Sequence, residues 1–90
     1  MNNNKKGVVL ITGASAGMGK ATAELLLKED YIVYGAARRV EKMKDIESKG
    51  AKIIAMDVTD ETSMVNGVNQ IIQEQGRIDV LFNNAGYGSY

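Results

Sequence analysis

The sequence contains no cysteine and no histidine. The first absence rules out disulfides and thiolate metal sites, and it agrees with a reducing, cytoplasmic compartment. The second removes imidazole-based acid–base catalysis and the usual zinc constellations, so no metal site is expected. Proline is absent too, which is unusual for a chain of this kind and decides nothing about its fold. No apolar run approaches the length of a membrane span or a secretory signal, and a membrane is not an expected partner. Neither charge is in excess, because eleven basic residues balance eleven acidic ones. Without a basic block, nucleic acid and acidic lipid surfaces are poor partners. Ninety residues suffice for one domain with one modest core.

What the chain does hold is glycine in a telling place. Gly13, Gly17 and Gly19 fall within Thr12-Gly13-Ala14-Ser15-Ala16-Gly17-Met18-Gly19-Lys20. This stretch follows the apolar, β-prone run Val8-Val9-Leu10-Ile11 and opens a segment with helical spacing. A strand feeding a glycine-rich turn and then a helix is a seat for phosphate. Glycine lets the backbone approach an anion closely, and the first-turn N–H groups carry a partial positive charge.

The rest of the pattern reads β-α-β-α-β-α-β. Residues 1–6 are polar and expected to form a loose, disordered tail, with the folded unit running over 7–90. Strands are expected at Gly7–Thr12, Ile32–Ala37, Lys52–Met56 and Asp79–Asn83. The first helix is expected over Gly17–Glu29, with Met18, Ala21, Leu25 and Leu26 facing the core. The second runs over Val40–Ser48 on Val40, Met43 and Ile46, with Gly50 past its end. The third starts near Thr59 or Asp60, turns Val65, Val68 and Ile72 inward, and stops at Gly76. Gly67 inside it costs about 1 kcal/mol relative to alanine.

Strands that are short apolar runs, and not alternating ones, are covered on both faces. Alternation with helices implies parallel pairing through right-handed crossovers. Two crossovers one way and a third the other give an open α/β sheet of order 3-2-1-4. Its ligand crevice lies at the carboxyl ends of the first and fourth strands, where the order reverses. The glycine turn and Asn83-Asn84-Ala85-Gly86 both fall there.

Two phosphate patterns fit this turn badly. The ATP- or GTP-binding P-loop needs Gly, four residues, then Gly-Lys-Ser or Gly-Lys-Thr. Aligning it on Gly19-Lys20 leaves Ala14 for its first glycine and Ala21 for its hydroxyl. The common dinucleotide fingerprint Gly-x-Gly-x-x-Gly also fails. The spacing present is Gly13-x-x-x-Gly17-x-Gly19, and it resembles the turn of the short-chain dehydrogenase/reductase family. Asp57-Val58, Asn83-Asn84-Ala85-Gly86 and the basic pair Arg38-Arg39 follow in the family's order, so the resemblance covers the chain from Gly7 onward.

That resemblance implies a partial, three-layer Rossmann-like domain that binds a nicotinamide dinucleotide. It assigns Gly13, Ser15, Gly17, Met18 and Gly19 to the diphosphate turn. Asp57 comes beside the adenine amino group and Val58 against its ring. The double asparagine Asn83-Asn84 would brace the central strands and touch the adenosine ribose, with Ala85 and Gly86 also on the cofactor. Local roles compete: Asp57 bracing the next helix, Val58 in the core, and the asparagines making a turn. The arginines choose the cofactor. An NAD site has an acidic residue at the end of the second strand, where this chain has Ala37 followed by Arg38 and Arg39. Guanidinium groups suit the 2′-phosphate of NADP(H), so NAD(H) is the lesser candidate. One charge-assisted hydrogen bond, about 1.5–3 kcal/mol, is roughly a ten- to hundred-fold preference.

The family's chemistry uses a tyrosine with a lysine four residues later. No Tyr-x-x-x-Lys occurs here: Gly35 follows Tyr31 at that distance and Arg38 follows Tyr34, while Tyr87 and Tyr90 lie too near residue 90. No catalytic residue is therefore assigned, and the chain alone is expected to be inactive. The reading is the NADP(H)-binding portion of an oxidoreductase moving hydride between nicotinamide and a carbonyl or alcohol. The alternative is a non-catalytic NADP(H)-binding module that associates with another protein. Either way the outer edge of the fourth strand, Val80-Leu81-Phe82, is expected to be unpaired and apolar. Such an edge favours self-association or association with the missing half.

Overall fold

The structure is a computed structural model and describes residues 5–14 and 17–83. The sheet is built from β1 (Val8–Thr12), β2 (Ile32–Ala37), β3 (Lys52–Ala55) and β4 (Val80–Asn83), in the order β3-β2-β1-β4. All three pairings are parallel, with Leu10 opposite Tyr34 and Leu81, and Gly35 opposite Ile53. The α/β fold and strand order read from the sequence are those observed.

The central strand explains why the sheet has two covered faces. Every residue of β1 is buried. Val9 and Ile11 point into one core with Val33, Ala23, Met43 and Ile46, beneath α1 (Gly17–Lys28) and α2 (Lys44–Ser48). Val8 and Leu10 point into the other with Tyr34, Ile54, Met56 and Ile71, beneath α3 (Glu61–Gln75). Period-two alternation on a strand with apolar residues at both parities leaves no polar face.

The helix ends follow their residues. Asp60 caps α3, accepting from the Thr62 N–H at 3.0 Å, which contributes about 1 kcal/mol. Gly76 closes the same helix at φ 85°. The second helical segment is split, with Val40–Met43 a 3₁₀ turn before α2. Met43 and Ile46 are buried in it, as the spacing implied. Lys6, within the expected tail, donates its N–H to the Asp30 carbonyl at 2.9 Å.

Two helical faces differ from expectation. In α1 the sheet side is Gly19 and Ala23, whereas Met18 is 71% and Leu25 57% exposed. In α3 it is Gly67 and Ile71, whereas Val65 and Ile72 are exposed and Val68 is only partly buried. In both cases a small residue takes a sheet-facing position and lets the helix axis come close, in α3 beside the large, fully buried Ile71. A Cβ on Gly67 would collide with Met56 Cε. The helix propensity surrendered at Gly67 is thus exchanged for close packing on β3's end.

Candidate functional site

The turn after β1 is held by β2. Gly13 N–H donates to the Ala36 carbonyl at 2.9 Å, and Ala14 is fully buried beneath the turn. Gly13 and Gly17 have φ of 68° and 63°, a region in which side chains are strained. Among the described residues nothing lies within 4 Å of where a Gly17 Cβ would be, so the requirement there is conformational. Gly19 is buried where α1 meets the sheet, and Met18 beside it is exposed. Ser15 lies outside the described residues.

Lys20 turns away from this turn. Its Nζ is 2.6 Å from Asp45 Oδ2, which raises the lysine's affinity for its proton and lowers the aspartate's. With the Lys49–Glu24 pair at 3.0 Å, this ties α1 to the α2 region.

Thr12 Oγ1 donates to Asn83 Oδ1 at 2.8 Å, joining the carboxyl ends of β1 and β4 where the strand order reverses. Asn84, Ala85 and Gly86 lie outside the described residues. β2 ends on Ala37, and Arg38 and Arg39 follow as exposed side chains. Arg38 is two residues beyond the carbonyl that holds Gly13, and Ala37 O accepts from Met56 N–H at 3.0 Å. Arg38 lies close enough to Asp57 for its charge to act on that carboxyl.

Asp57 itself has local work. Its Oδ1 accepts from the N–H and the hydroxyl of Thr59 at 2.9 and 2.6 Å. Its own N–H donates to Ser63 Oγ at 2.9 Å. The Thr59 hydroxyl, then the Thr59 N–H, and more weakly the Arg38 charge hold its carboxyl below the ordinary range. The bracing role weighed from sequence is therefore present. Val58 packs, partly buried, against the α3-side core.

Sequence reasoning missed Gly35, the floor of the turn. A Cβ there would meet Ile46 Cδ1 at 2.9 Å, Ala14 Cβ at 3.2 Å and Met43 Sδ at 3.2 Å. A lone glycine inside a strand was the available signal. It also missed Asp79, whose Oδ2 accepts from the Val8 N–H at 2.7 Å and from Arg77 at 3.0 Å, fixing where β1 begins.

Against known families, the model for short chain dehydrogenases matches residues 7–90. The chain belongs to the short-chain dehydrogenase family. Among curated short-chain dehydrogenase relatives, a 3-ketodihydrosphingosine reductase of Bacteroides thetaiotaomicron is 49% identical, over 90% of this chain and 29% of its own length. A serine 3-dehydrogenase of Agrobacterium fabrum is 37% identical, over 89% of this chain and 33% of its own. A solved short-chain dehydrogenase from Streptomyces avermitilis superposes with a TM-score of 0.85 at 40% identity, covering 89% of this chain and 31% of that one. An NADPH dependent reductase of bacilysin biosynthesis superposes at 0.84 with 26% identity, over 94% of this chain and 37% of that one. The chain thus spans about a third of the length of the short-chain dehydrogenases it matches. Among the described residues no helix is long and apolar enough to cross a membrane.

Proposed function

We propose that this chain is the NADP(H)-binding portion of an oxidoreductase that moves hydride between the nicotinamide and a carbonyl or alcohol. The family's nicotinamide chemistry supplies the hydride when the cofactor is bound. Gly13, Gly17 and Gly19, with Ser15 and Met18, would hold the diphosphate. Asp57 and Val58 would flank the adenine, with Asn84 on its ribose and Ala85 and Gly86 also on the cofactor. The donor set suits a dinucleotide: glycines in the left-handed region at the start of a twelve-residue helix.

One observation carries the choice of NADP(H). β2 ends on Ala37, hydrogen-bonded into the site's frame, where a diol-binding carboxylate would stand, and the next residue is the exposed Arg38. No carboxylate competes there for the ribose hydroxyls, and Arg38 can meet a 2′-phosphate. Calorimetric titration should give NADPH at least roughly tenfold tighter binding than NADH. Arg38→Asp should reverse the order. Equal affinities in the parent chain would sink the assignment.

A further inference from the structure

Lys20 stands in the first turn of α1, and no acidic residue shares that turn with it. A cation there meets the positive end of the helix dipole, an unfavourable place unless an anion joins it. Asp45 of α2 is that anion, its Oδ2 lying 2.6 Å from Lys20 Nζ. One helical turn farther along α1 the signs are exchanged, with Glu24 holding Lys49 at 3.0 Å. The four charges alternate and cancel. Glu24 also acts weakly on Lys20, and Lys49 on Asp45, so each cation has two anions near it. The glycine turn is nevertheless close to the lysine. Lys20 comes three residues after Gly17, about 4.5 Å along the helix axis. Helical side chains lean toward the N-terminus, so a lysine at this position covers the opening turn unless something draws it aside. Asp45 draws it aside.

We propose that Asp45 restrains dinucleotide affinity by withholding Lys20, a latent ligand for the diphosphate. Two anions compete for one ammonium group. Lys20 meets the diphosphate only by giving up Asp45, and the loss of that pair is subtracted from what the ammonium gains on phosphate. Glu24 cannot take over the restraint when Asp45 is neutralised. Lys49 already occupies it, and a lysine four residues before a glutamate is the weaker order on a helix. A cofactor held without the ammonium exchanges more readily, which suits a hydride-transfer cycle whose spent nicotinamide must leave after each turnover. This role for Asp45 rests on the diphosphate reading of the turn and is independent of the choice between NADP(H) and NAD(H).

The test is calorimetric titration of the full chain with NADPH and, separately, with NADH. Asp45→Asn should tighten both by about two- to fivefold, the range expected of one partly exposed ion pair. Asp45→Ser should do the same, and added salt should shrink the gain. In a Lys20→Met background Asp45→Asn should give no gain. Glu24→Gln, which frees Lys49 a turn farther along α1, should leave both affinities as they are. Unchanged or weaker binding by Asp45→Asn would overturn the proposal, because a clamp that merely joins α1 to α2 has that sign. An equal gain with and without Lys20 would overturn it too, since Asp45 would then act only as a remote charge. A parent chain that binds neither dinucleotide would bring down the diphosphate reading itself, and this role for Asp45 with it.

Discussion

Gly35 shows how little room the turn's floor allows. It lies mid-strand in β2, and three side chains from different segments crowd the place where a Cβ would go. Gly35→Ala must push against Ile46, Met43 and Ala14 together, and Ala14 is part of the turn. Overpacking of this kind costs about 1–3 kcal/mol. Urea denaturation should show a loss of that size, and an unchanged midpoint would mean that α2 yields freely. Gly67 contrasts with it: its closest neighbour is the terminal methyl of Met56, the end of a flexible side chain. The site glycines were legible in the sequence because their spacing is a motif. Gly35 was not, because its constraint comes from residues as far off as Ile46.

The helices hold a different lesson. α1 closes with Asp30 in the left-handed region, φ 70°. Asp30 N–H donates to the Leu27 carbonyl and Tyr31 N–H to the Leu26 carbonyl, the paired bonds of a Schellman ending. That ending prefers glycine, since aspartate's Cβ is strained there. Asp30→Gly should therefore stabilise the chain by about 0.5–1 kcal/mol, read as a higher denaturation midpoint. A lower midpoint would show that the aspartate side chain contributes more than its backbone strain costs. Periodicity located α1 and α3 and found genuine apolar stripes on them. Which stripe faces the sheet was decided by size, with Gly19, Ala23 and Gly67 winning the contact.

For the molecule as a whole, Tyr34 links the sheet to the α3 layer. Its hydroxyl donates to Glu74 Oε1 at 2.5 Å and accepts from Gln75 Nε2 at 3.0 Å, at the far end of α3. Burial first, then the bond to Glu74, pushes the phenol up from 10.0 to about 12. A group whose proton is held more tightly when folded contributes stability that is complete below its unfolded pKa. That stability is lost as pH rises through the folded value. Between about pH 10 and 12 the urea midpoint should fall, and Tyr34→Phe should flatten that limb. An alkaline limb identical in the phenylalanine variant would remove Tyr34 from the account.

The sequence by itself determined the element order, the parallel 3-2-1-4 sheet and the place of the glycine turn. These follow from local spacing: apolar runs at strand length, helical periodicity and glycines at a strand–helix junction. Tertiary structure alone decided which side of α1 and α3 is core, that Gly35 is the turn's floor, and that Lys20 belongs to Asp45. Each of these depends on how closely two segments distant in sequence approach, and approach distance is set by side-chain volume in three dimensions and not by order along the chain.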